Sequence, residues 1–448
     1  MKRLYDDNLY RFDTPQPSYW EATAGDIAVH AAPLRTEESC DIAIIGGGYT
    51  GLTAAWWLAK RYGADVRVLE AGHIGWGASG RNGGFCCMGG TALHRGGLLR
   101  KFGAEVARAY YQTQADAVRL VRDIAQEERL DIDLQGDAEL EVAHSRKAFN
   151  GMRQDVDVVT RLLGLEAELI DADAFRERFY DSPEQHGALR SGPAFGMHPL
   201  KFCHGLAAAA ARHGAVLHAN SEVLEWQKRD DGRHRLVTAG GSLSARRVVF
   251  ATNAFMPEQL RPEFAARILP VVSAIIVTRP LAQAELDAQR WITDDPAINS
   301  RRLLNYFRVL PDRRVMIGGR GHSRGDPEGE RRTYGTIERA MWRMWPAWRD
   351  VDVEYRWHGL ICFTRSLRPS IGRLEGDGSV YYGYGYHGNG VNNATWTGKQ
   401  LADWIGSGDE PALTPVVRGI GGRFPLPSQR LRYLRAGIAL SGLLDRLG

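Results

Sequence analysis

The pattern of apolar and polar positions is most informative between residues 41 and 70. An uninterrupted apolar run at 42–45 predicts a strand buried on both faces, because a half-exposed strand would carry polar residues at every second position. Glycines follow this run, and a helix is predicted from about 49 to 61. A second short run at 65–69 predicts another strand. The order strand, helix, strand indicates a parallel βαβ unit.

Helical and extended patterns alternate in the following part of the chain. Apolar residues recur at helical spacing over 103–129, and Pro199 and Gly214 bound a predicted helix at 199–213. The other elements predicted here are a strand at 131–142, two helices within 147–180, and strands at 215–217, 221–227 and 247–251. These elements extend the first unit into an α/β architecture.

The pattern changes between residues 269 and 355. Short strands alternate with turns there, which predicts an antiparallel sheet. Its strands are expected at 271–278, 303–309 and 315–318. A strand at 381–384, a helix ending near 405 and a last helix at 436–447 are predicted after this sheet.

Composition bounds the class of protein. A chain of 448 residues is too long for one ordinary core, so two domains are expected. The net charge is +4 and the basic residues are interspersed with 53 acidic ones, which gives no reason to expect a nucleic-acid partner. No apolar run approaches the roughly 20 residues that span a bilayer. No signal-peptide core follows Lys2 and Arg3 either, so a cytoplasmic protein is expected.

The cysteines do not indicate a disulfide framework or a metal centre. There are five of them, an odd number, and no His/Cys cluster has the spacing of a metal site, so no metal is expected. Cys86 and Cys87 are neighbours in a glycine-rich stretch. Two interpretations stay open for them: a redox pair or, as is commoner, buried reduced thiols.

Candidate chemistry begins with the glycines after the first strand. Gly46, Gly48 and Gly51 occupy the positions of G-x-G-x-x-G, which allow a tight turn, the approach of a pyrophosphate to the backbone, and close packing of helix on strand. The following helix directs its N-terminal amides at that phosphate. Glu70 ends the second strand, where a carboxylate accepts the ribose hydroxyls and repels a 2′-phosphate. The sequence therefore predicts a site for NAD or FAD rather than NADP.

A second stretch rich in glycine covers residues 71–90. Because glycine loses more backbone entropy on folding than other residues, so many glycines are expected where a ligand must approach the backbone closely. A planar cofactor would explain it. With GGGYTG at 46–51, the Glu-terminated strand and GASGRNGG at 77–84, the chain resembles the D-amino acid oxidase and glycine oxidase superfamily of FAD-dependent amine oxidases. The resemblance implies a Rossmann-like FAD-binding domain of the glutathione-reductase type, with an interleaved antiparallel-sheet substrate domain.

The same resemblance implies a set of residues around noncovalent FAD. One departure is Asn253, where the family usually has glycine, and another is Ser366, where it usually has aspartate. Cys362 lies about three residues from the position at which sarcosine oxidases attach flavin covalently, so noncovalent binding is favoured. The implied cofactor-binding residues are Gly46, Gly48, Tyr49, Thr50, Gly51, Glu70, Ala71, Gly77, Ala78, Ser79, Arg81, Asn82, Gly83, Gly84, Val223, Thr252, Asn253, Gly385, His387, Gly388, Asn389, Gly390 and Val391.

Within the superfamily, several motifs resemble a branch that oxidises gamma-glutamylputrescine in polyamine breakdown. They include the aromatic start at 18–20, YRW-G at 355–359 and S-x-x-P-x-x-G-R-L at 366–374. The resemblance implies hydride transfer from an amine carbon to flavin N5, imine hydrolysis, and reoxidation by O2 giving H2O2. We place Tyr306, Arg308, Trp357 and His387 near the substrate.

Alternatives stay open at two of these residues and for the activity as a whole. Arg308 is either a carboxylate ligand or a surface arginine, and His387 is either an active-site group or structural. The electrons pass to O2 or to a quinone or carrier protein, and a flavin-binding subunit of a larger complex is a third hypothesis. The expected partners are a small amine or amino acid and the electron acceptor; a homo-oligomer is also possible.

The expected domain division interleaves the two domains along the chain. It comprises an N-terminal arm (1–36), FAD-binding parts one, two and three (37–100, 199–255 and 356–417), substrate-domain parts (101–198 and 256–355), and a C-terminal tail with a helix (418–448).

Overall fold

The computed structural model describes residues 4–26, 29–323 and 325–447. Its α-helices are α1 (Tyr19–Thr23), α2 (Tyr49–Tyr62), α3 (Ala78–Arg81), α4 (Arg95–Glu127), α5 (Arg146–Asp157), α6 (Ala172–Arg178), α7 (Pro199–Arg212), α8 (Gln283–Ala288), α9 (Pro327–Met344), α10 (Gly390–Ser407) and α11 (Arg430–Leu447). Its strands are β1 (Glu37–Ile45), β2 (Val66–Leu69), β3 (Phe85–Cys86), β4 (Glu139–Val142), β5 (Glu166–Ile170), β6 (Ala188–Gly192), β7 (Phe195–Gly196), β8 (Val216–His218), β9 (Glu225–Lys228), β10 (His234–Val237), β11 (Ser242–Phe250), β12 (Ile268–Pro280), β13 (Ala297–Asn299), β14 (Asn305–Val309), β15 (Arg314–Arg320), β16 (Val353–Thr364), β17 (Ser370–Leu374) and β18 (Asp377–Tyr384).

The first large sheet is built around β1. Its strands follow the order β17-β18-β11-β1-β2-β8, and β9 and β10 extend it beside β11. Pairing is parallel from β18 through β11, β1 and β2 to β8. Ile42 and Ile44 face a core shared with α2, α7 and α10, while Ala43 and Ile45 face a second core on the opposite side. Burial on both faces explains the uninterrupted apolar run in the sequence.

The second large sheet is mainly antiparallel, with the order β16-β12-β15-β14-β13-β4-β6-β5. The β13–β4 pair alone among these neighbours is parallel within the described chain. Helix α9 packs against this sheet with a cluster of buried tryptophans that includes Trp291, Trp345 and Trp348. The fold is thus an α/β sheet joined to an antiparallel sheet, as the sequence predicts.

Most predicted elements are present, and the differences have local causes. The helix expected at 103–129 begins earlier, at Arg95, and bends at Gly103, whose φ is +82°. The two helices expected within 147–180 are separated by strand β5, whose burial alternates as a half-exposed strand requires. The strand expected at 131–142 is limited to β4, and helix α9 was not predicted within the sheet region.

Strand β16 crosses the expected boundary between residues 355 and 356. It pairs with β12 over almost its whole length and so belongs to the second sheet. The seven-part domain division as a whole stays a prediction. Among the described residues, no helix is long and apolar enough to cross a membrane.

Candidate flavin and substrate site

A cavity of about 1400 Å³ lies between the two sheets. One end is formed by loops that follow the parallel strands of the first sheet: Gly46 lies after β1, Glu70 after β2, Thr252 after β11 and Tyr386 after β18. The other end is formed by the face of the second sheet. Ligands of open α/β sheets bind at the carboxyl ends of the strands, so the first end is the expected place for a nucleotide.

The turn between β1 and α2 can be built only with glycine at two positions. Gly46 has a φ of +112°, and a Cβ there would lie 2.8 Å from the Ala251 carbonyl oxygen. A Cβ on Gly51 would lie 2.0 Å from the Gly46 oxygen. The N-cap of α2 is Gly48, which has no side chain of its own to cap the helix. The turn therefore presents bare backbone and a positive helix end to the cavity.

Glu70 closes this turn from the side of β2. One carboxylate oxygen accepts the Gly47 N–H at 2.6 Å and the other accepts the Gly72 N–H at 3.0 Å. Burial raises the pKa of Glu70, and the two backbone hydrogen bonds oppose that rise. The carboxylate lines the cavity next to the glycine turn, where it can accept hydroxyl groups of a bound nucleotide.

The loop at 77–84 lies against the N-terminus of α2. The Ser79 hydroxyl accepts the Tyr49 N–H at 2.9 Å. Arg81 is buried, its guanidinium stacks 4.1 Å from the Trp76 ring centroid, and it donates to the carbonyl groups of Trp76 and His358. Burial lowers the pKa of Arg81 to about 9. This cation has no ion pair among the described residues, and it lines the cavity.

The third part of the nucleotide end precedes α10. The Gly385 N–H donates to the Asn253 side-chain oxygen at 2.9 Å, so the asparagine that departs from the family pattern connects the loops after β11 and β18. Asn253 has a φ of +45°, which asparagine adopts more readily than most residues. The departure therefore preserves the glycine-like backbone and adds a hydrogen bond.

His387 lies in the same loop with both ring nitrogens engaged by main chain. Its Nε2 accepts the Thr364 N–H at 3.1 Å, and its Nδ1 contacts the Gly90 oxygen at 3.3 Å. Burial lowers the pKa of His387 to about 4. It is therefore a neutral histidine that holds two loops together, and no ring nitrogen is left for proton transfer.

The substrate end of the cavity is formed by one face of the second sheet. Tyr306 lies opposite Gly318, and a Cβ on Gly318 would lie 2.1 Å from the Tyr306 ring, so the missing side chain makes room for the ring. The Tyr306 hydroxyl contacts Ser273 Oγ at 3.0 Å. Arg320, two residues after Gly318, shares its face and lines the cavity.

Arg320 is a cation without an acidic partner. Its only hydrogen bond among the described residues goes to the Gly321 oxygen at 3.1 Å, and none of the ion pairs there includes it. Arg320 is exposed as a whole, and partial desolvation of its guanidinium lowers its pKa. An unpaired guanidinium on the wall of a cavity suits a ligand carboxylate.

Comparison with known proteins decides the family. The profile described as "DAO: FAD dependent oxidoreductase" matches residues 41–404. The chain belongs to the DAO family. Gamma-glutamylputrescine oxidoreductase from Escherichia coli (strain K12) is 30% identical over 439 residues, covering 96% of this chain and 98% of that protein. This DAO enzyme is therefore an FAD-dependent oxidoreductase that acts on amines or amino acids.

Solved structures share the DAO fold. Glycine oxidase from Geobacillus kaustophilus aligns with a TM-score of 0.69 at 21% identity, over 84% of this chain and 96% of that one. L-proline dehydrogenase from P.horikoshii aligns with a TM-score of 0.68 at 21% identity, over 89% and 99%. The predicted fold and the cofactor are both confirmed.

The residues of this DAO-family chain fit FAD. The bare glycine turn accepts a pyrophosphate, and Glu70 faces the same space. Thr252 Oγ1 is buried beside the cavity with no hydrogen-bond partner among the described residues, and a bound ligand would satisfy it. The N-terminus of α10 also opens on the cavity through Gly390 and Val391.

Most of the predicted cofactor residues line the cavity. Those that do are Gly46, Gly48, Tyr49, Thr50, Glu70, Ala71, Gly77, Ala78, Ser79, Arg81, Asn82, Gly83, Val223, Thr252, Asn253, His387, Gly388, Asn389, Gly390 and Val391. Gly51, Gly84 and Gly385 do not line it, and each instead allows a close approach between protein segments. Their individual contacts with FAD stay predictions.

Two of the four residues placed near the substrate lie elsewhere. Arg308 is 1% exposed and donates to Gln135 Oε1 at 2.9 Å and to the Met197 oxygen at 2.6 Å. It is neither a carboxylate ligand on the cavity wall nor a surface arginine. Trp357 is also 1% exposed, and its Nε1 donates to the Arg81 oxygen at 2.8 Å. It supports the loop at 77–84 from behind, whereas Tyr306 and His387 line the cavity.

The sequence interpretation missed Arg320, Ser273 and the cavity-facing side of α11. Ser273 is paired with Arg320, and Ile275 with Gly318, on the neighbouring strands β12 and β15. That these residues share one face can be recognised only once the strand register is known. Cys86 and Cys87 are buried free thiols, and burial raises the pKa of both. Their surroundings favour inert thiols over a redox pair.

Proposed function

We propose that the enzyme oxidises the C–N bond of an amine that carries a distant carboxylate, with a gamma-glutamylputrescine-like compound as substrate. Arg320 carries the proposal, because it is a cation without an ionic partner among the described residues and shares the cavity face of Tyr306. The likeness to gamma-glutamylputrescine oxidoreductase supports the same substrate class. We further propose that O2 reoxidises the flavin and that H2O2 is released.

The chain's own residues bind and orient the substrate in this proposal. Arg320 holds the carboxylate by paired hydrogen bonds. Tyr306, fixed by Ser273, bounds the space beside the loop at 77–84, since a Cβ on Gly83 would lie 2.9 Å from its ring. Ile298, Leu360 and Ile361 add apolar lining that excludes water.

Bound FAD would supply the acceptor for the hydride that leaves the carbon beside the amine nitrogen, and the imine product would hydrolyse in water. An amine that binds in its neutral form needs no protein base for this reaction. His387 accordingly serves as a positioning residue, because main-chain groups occupy both of its nitrogens. We propose noncovalent FAD, because burial raises the pKa of the Cys362 thiol and keeps it protonated.

An anaerobic titration tests the proposal. Gamma-glutamylputrescine is added to the yellow holoenzyme without oxygen, and putrescine, which has the same reacting amine without the carboxylate, is the matched control. We expect the glutamylated compound to bleach the flavin at far lower concentration. Equal bleaching by both compounds, or bleaching by glycine alone, would contradict the substrate class while leaving the cofactor unaffected.

A dehydrogenase that passes electrons to a quinone or carrier protein is the second candidate. The outer side of α11 favours this candidate, because it presents the apolar side chains of Leu440 and Leu443, which are 58% and 54% exposed. Such a surface suits contact with an apolar quinone or a carrier protein. Admitting air to the bleached enzyme separates the two candidates. Rapid recovery of colour with peroxide supports the oxidase, and slow recovery that a soluble quinone accelerates supports the dehydrogenase.

A further inference from the structure

Helix α11 forms one wall of the cavity. Its residues Tyr433, Leu434, Gly437, Ile438 and Ser441 line the cavity, and their spacing places them on one face of the helix. The family match ends at residue 404, before α11 begins. The wall is therefore an addition to the part of the chain that defines the family.

The N-terminal end of α11 is firmly anchored. Arg430 is 3% exposed, and its guanidinium donates to the Ile268 oxygen at 2.7 Å and to a Glu258 carboxylate oxygen at 3.1 Å. Ile268 is the first residue of β12, so this end of the helix is attached to the second sheet. A buried ion pair with additional hydrogen bonds resists separation.

At the opposite end, the side-chain hydrogen bonds among the described residues are made by the Asp445 carboxylate. Asp445 accepts the Arg302 N–H at 2.8 Å and the Leu303 N–H at 3.0 Å. Both residues belong to the loop 300–304 between β13 and β14, and every residue of that loop lines the cavity. Asp445 is partly exposed, so water competes for these two hydrogen bonds.

We infer that α11 is the specificity-determining gate of the substrate cavity, held closed by Asp445 against the loop 300–304. The helix pivots at its Arg430 end, and its Gly437 sets the width of the opening. The assignment to substrate entry rests on the proposed function; the gating geometry does not. Short amines enter past the closed helix, and long amines need the Asp445 end to part from the loop.

Two variants with opposite expected effects test the gate. Asp445→Asn leaves one acceptor oxygen for two N–H groups and weakens the closed position. Gly437→Leu fills the opening, since a Cβ on Gly437 meets no atom within 4 Å, and it raises helix propensity. Arg432→Gln, an exposed position on the same helix outside the cavity lining, is the matched control.

The primary readout is the rate at which sulfite bleaches the flavin of each holoenzyme, which needs access to the flavin but no substrate. Measurement in about 1 M salt, where the Debye length is about 3 Å, removes steering of the anion by the lost charge. We expect Asp445→Asn to accelerate bleaching by about tenfold, the effect of losing one hydrogen bond to a charged group. Gly437→Leu should slow it by a similar factor, and Arg432→Gln should match the wild type.

Substrate kinetics provide the second readout. Gly437→Leu should raise the KM for gamma-glutamylputrescine far more than the KM for a short amine. Unchanged rates of sulfite bleaching in both Asp445→Asn and Gly437→Leu would overturn the gate. If sulfite rates shift as expected but gamma-glutamylputrescine never bleaches the flavin, the gate stands and the proposed substrate fails.

Discussion

The nucleotide end and the substrate end of the cavity differ in how their residues are specified. The nucleotide end is built from short consecutive segments, such as the turn from Gly46 to Gly51, whose geometry is set by residues a few positions apart. The substrate end is built from single residues on paired strands, such as Tyr306 and Arg320. One end is thus encoded by local motifs and the other by strand register.

This difference has a consequence for tolerance to substitution. A local turn fails when one Cβ is added, because the atoms it would meet are backbone atoms that cannot move away. A sheet face tolerates exchange of single side chains, because each contributes a separate contact. The nucleotide end should therefore respond to mutation by loss of cofactor, and the substrate end by a change of specificity.

The largest effect is expected for Gly51→Ala. The added Cβ would lie 2.0 Å from the Gly46 oxygen, and forcing the helix away should cost on the order of 4 kcal/mol. The measurement is the flavin content of the purified protein, which we expect to be lost. Gly151→Ala in α5 is the matched control, because a Cβ there meets nothing within 4 Å. A fully flavinated Gly51→Ala protein would contradict the proposed role of the turn.

Acid stability tests the loop that precedes α10. Because the pKa of His387 falls to about 4 from its ordinary 6.5, the unfolded chain binds a proton there before the folded one does. The contribution of His387 to the free energy of unfolding is therefore fully present above pH 6.5. It is lost as the pH falls toward 4, and the loss amounts to about 3 kcal/mol. Urea unfolding across this range should show a shallower pH dependence for His387→Asn. If the unfolding free energies of the wild type and His387→Asn changed with pH in the same way, a lowered pKa of His387 would be contradicted.

Glu70→Gln should weaken FAD binding with little effect on the fold. The amide keeps the shape of the carboxylate but presents one acceptor oxygen instead of two, while Gly47 and Gly72 both donate. We expect the Kd of FAD to rise about 10- to 100-fold, or roughly 1.4 to 2.7 kcal/mol. Fluorescence titration of the apoprotein measures it. An unchanged Kd would show that the carboxylate supports the turn rather than the ligand.

The smallest expected effect is at the substrate end. Arg320→Gln should raise the KM for gamma-glutamylputrescine about tenfold without changing the Kd of FAD, since it removes one charged contact. The KM for putrescine should not change, and Arg320→Lys should restore part of the difference because it restores the charge. An equal rise in the KM of both amines would contradict the proposal that Arg320 binds the substrate carboxylate.

Sequence patterns predicted most strands of the first sheet, its dinucleotide turn and the glycine loop at 77–84, because each of these depends on neighbours along the chain. The pairing of those strands joins distant residues, such as Ile42 and Arg247. Arg308 and Trp357 show where that reasoning fails. Arg308 lies in the predicted antiparallel sheet and Trp357 in the motif at 355–359, both at sites that a family resemblance makes attractive. Arg308 nevertheless bonds to Gln135 and Met197, which are far away in sequence. No local pattern specifies such partners, so the two residues were placed at the substrate and lie outside the cavity.

Helix α11 was predicted from its sequence, but its position was not. Its contacts are made by Asp445 with residues 302 and 303 and by Arg430 with Ile268, all more than a hundred positions away. The periodicity of a helix reports which face is apolar and not what that face covers. Its role beside the cavity became evident only from these long-range hydrogen bonds.

The path of the chain through the two sheets has a mechanical consequence. Strand β16 is paired along almost its whole length in the second sheet, and after residues 365–369 the chain enters β17 of the first. So short a connection between two stiff elements leaves little room for the sheets to rotate as separate bodies. We therefore expect turnover to be paced by fast displacements of single loops and one terminal helix, without the slower hinge motion by which many two-domain enzymes enclose their ligands.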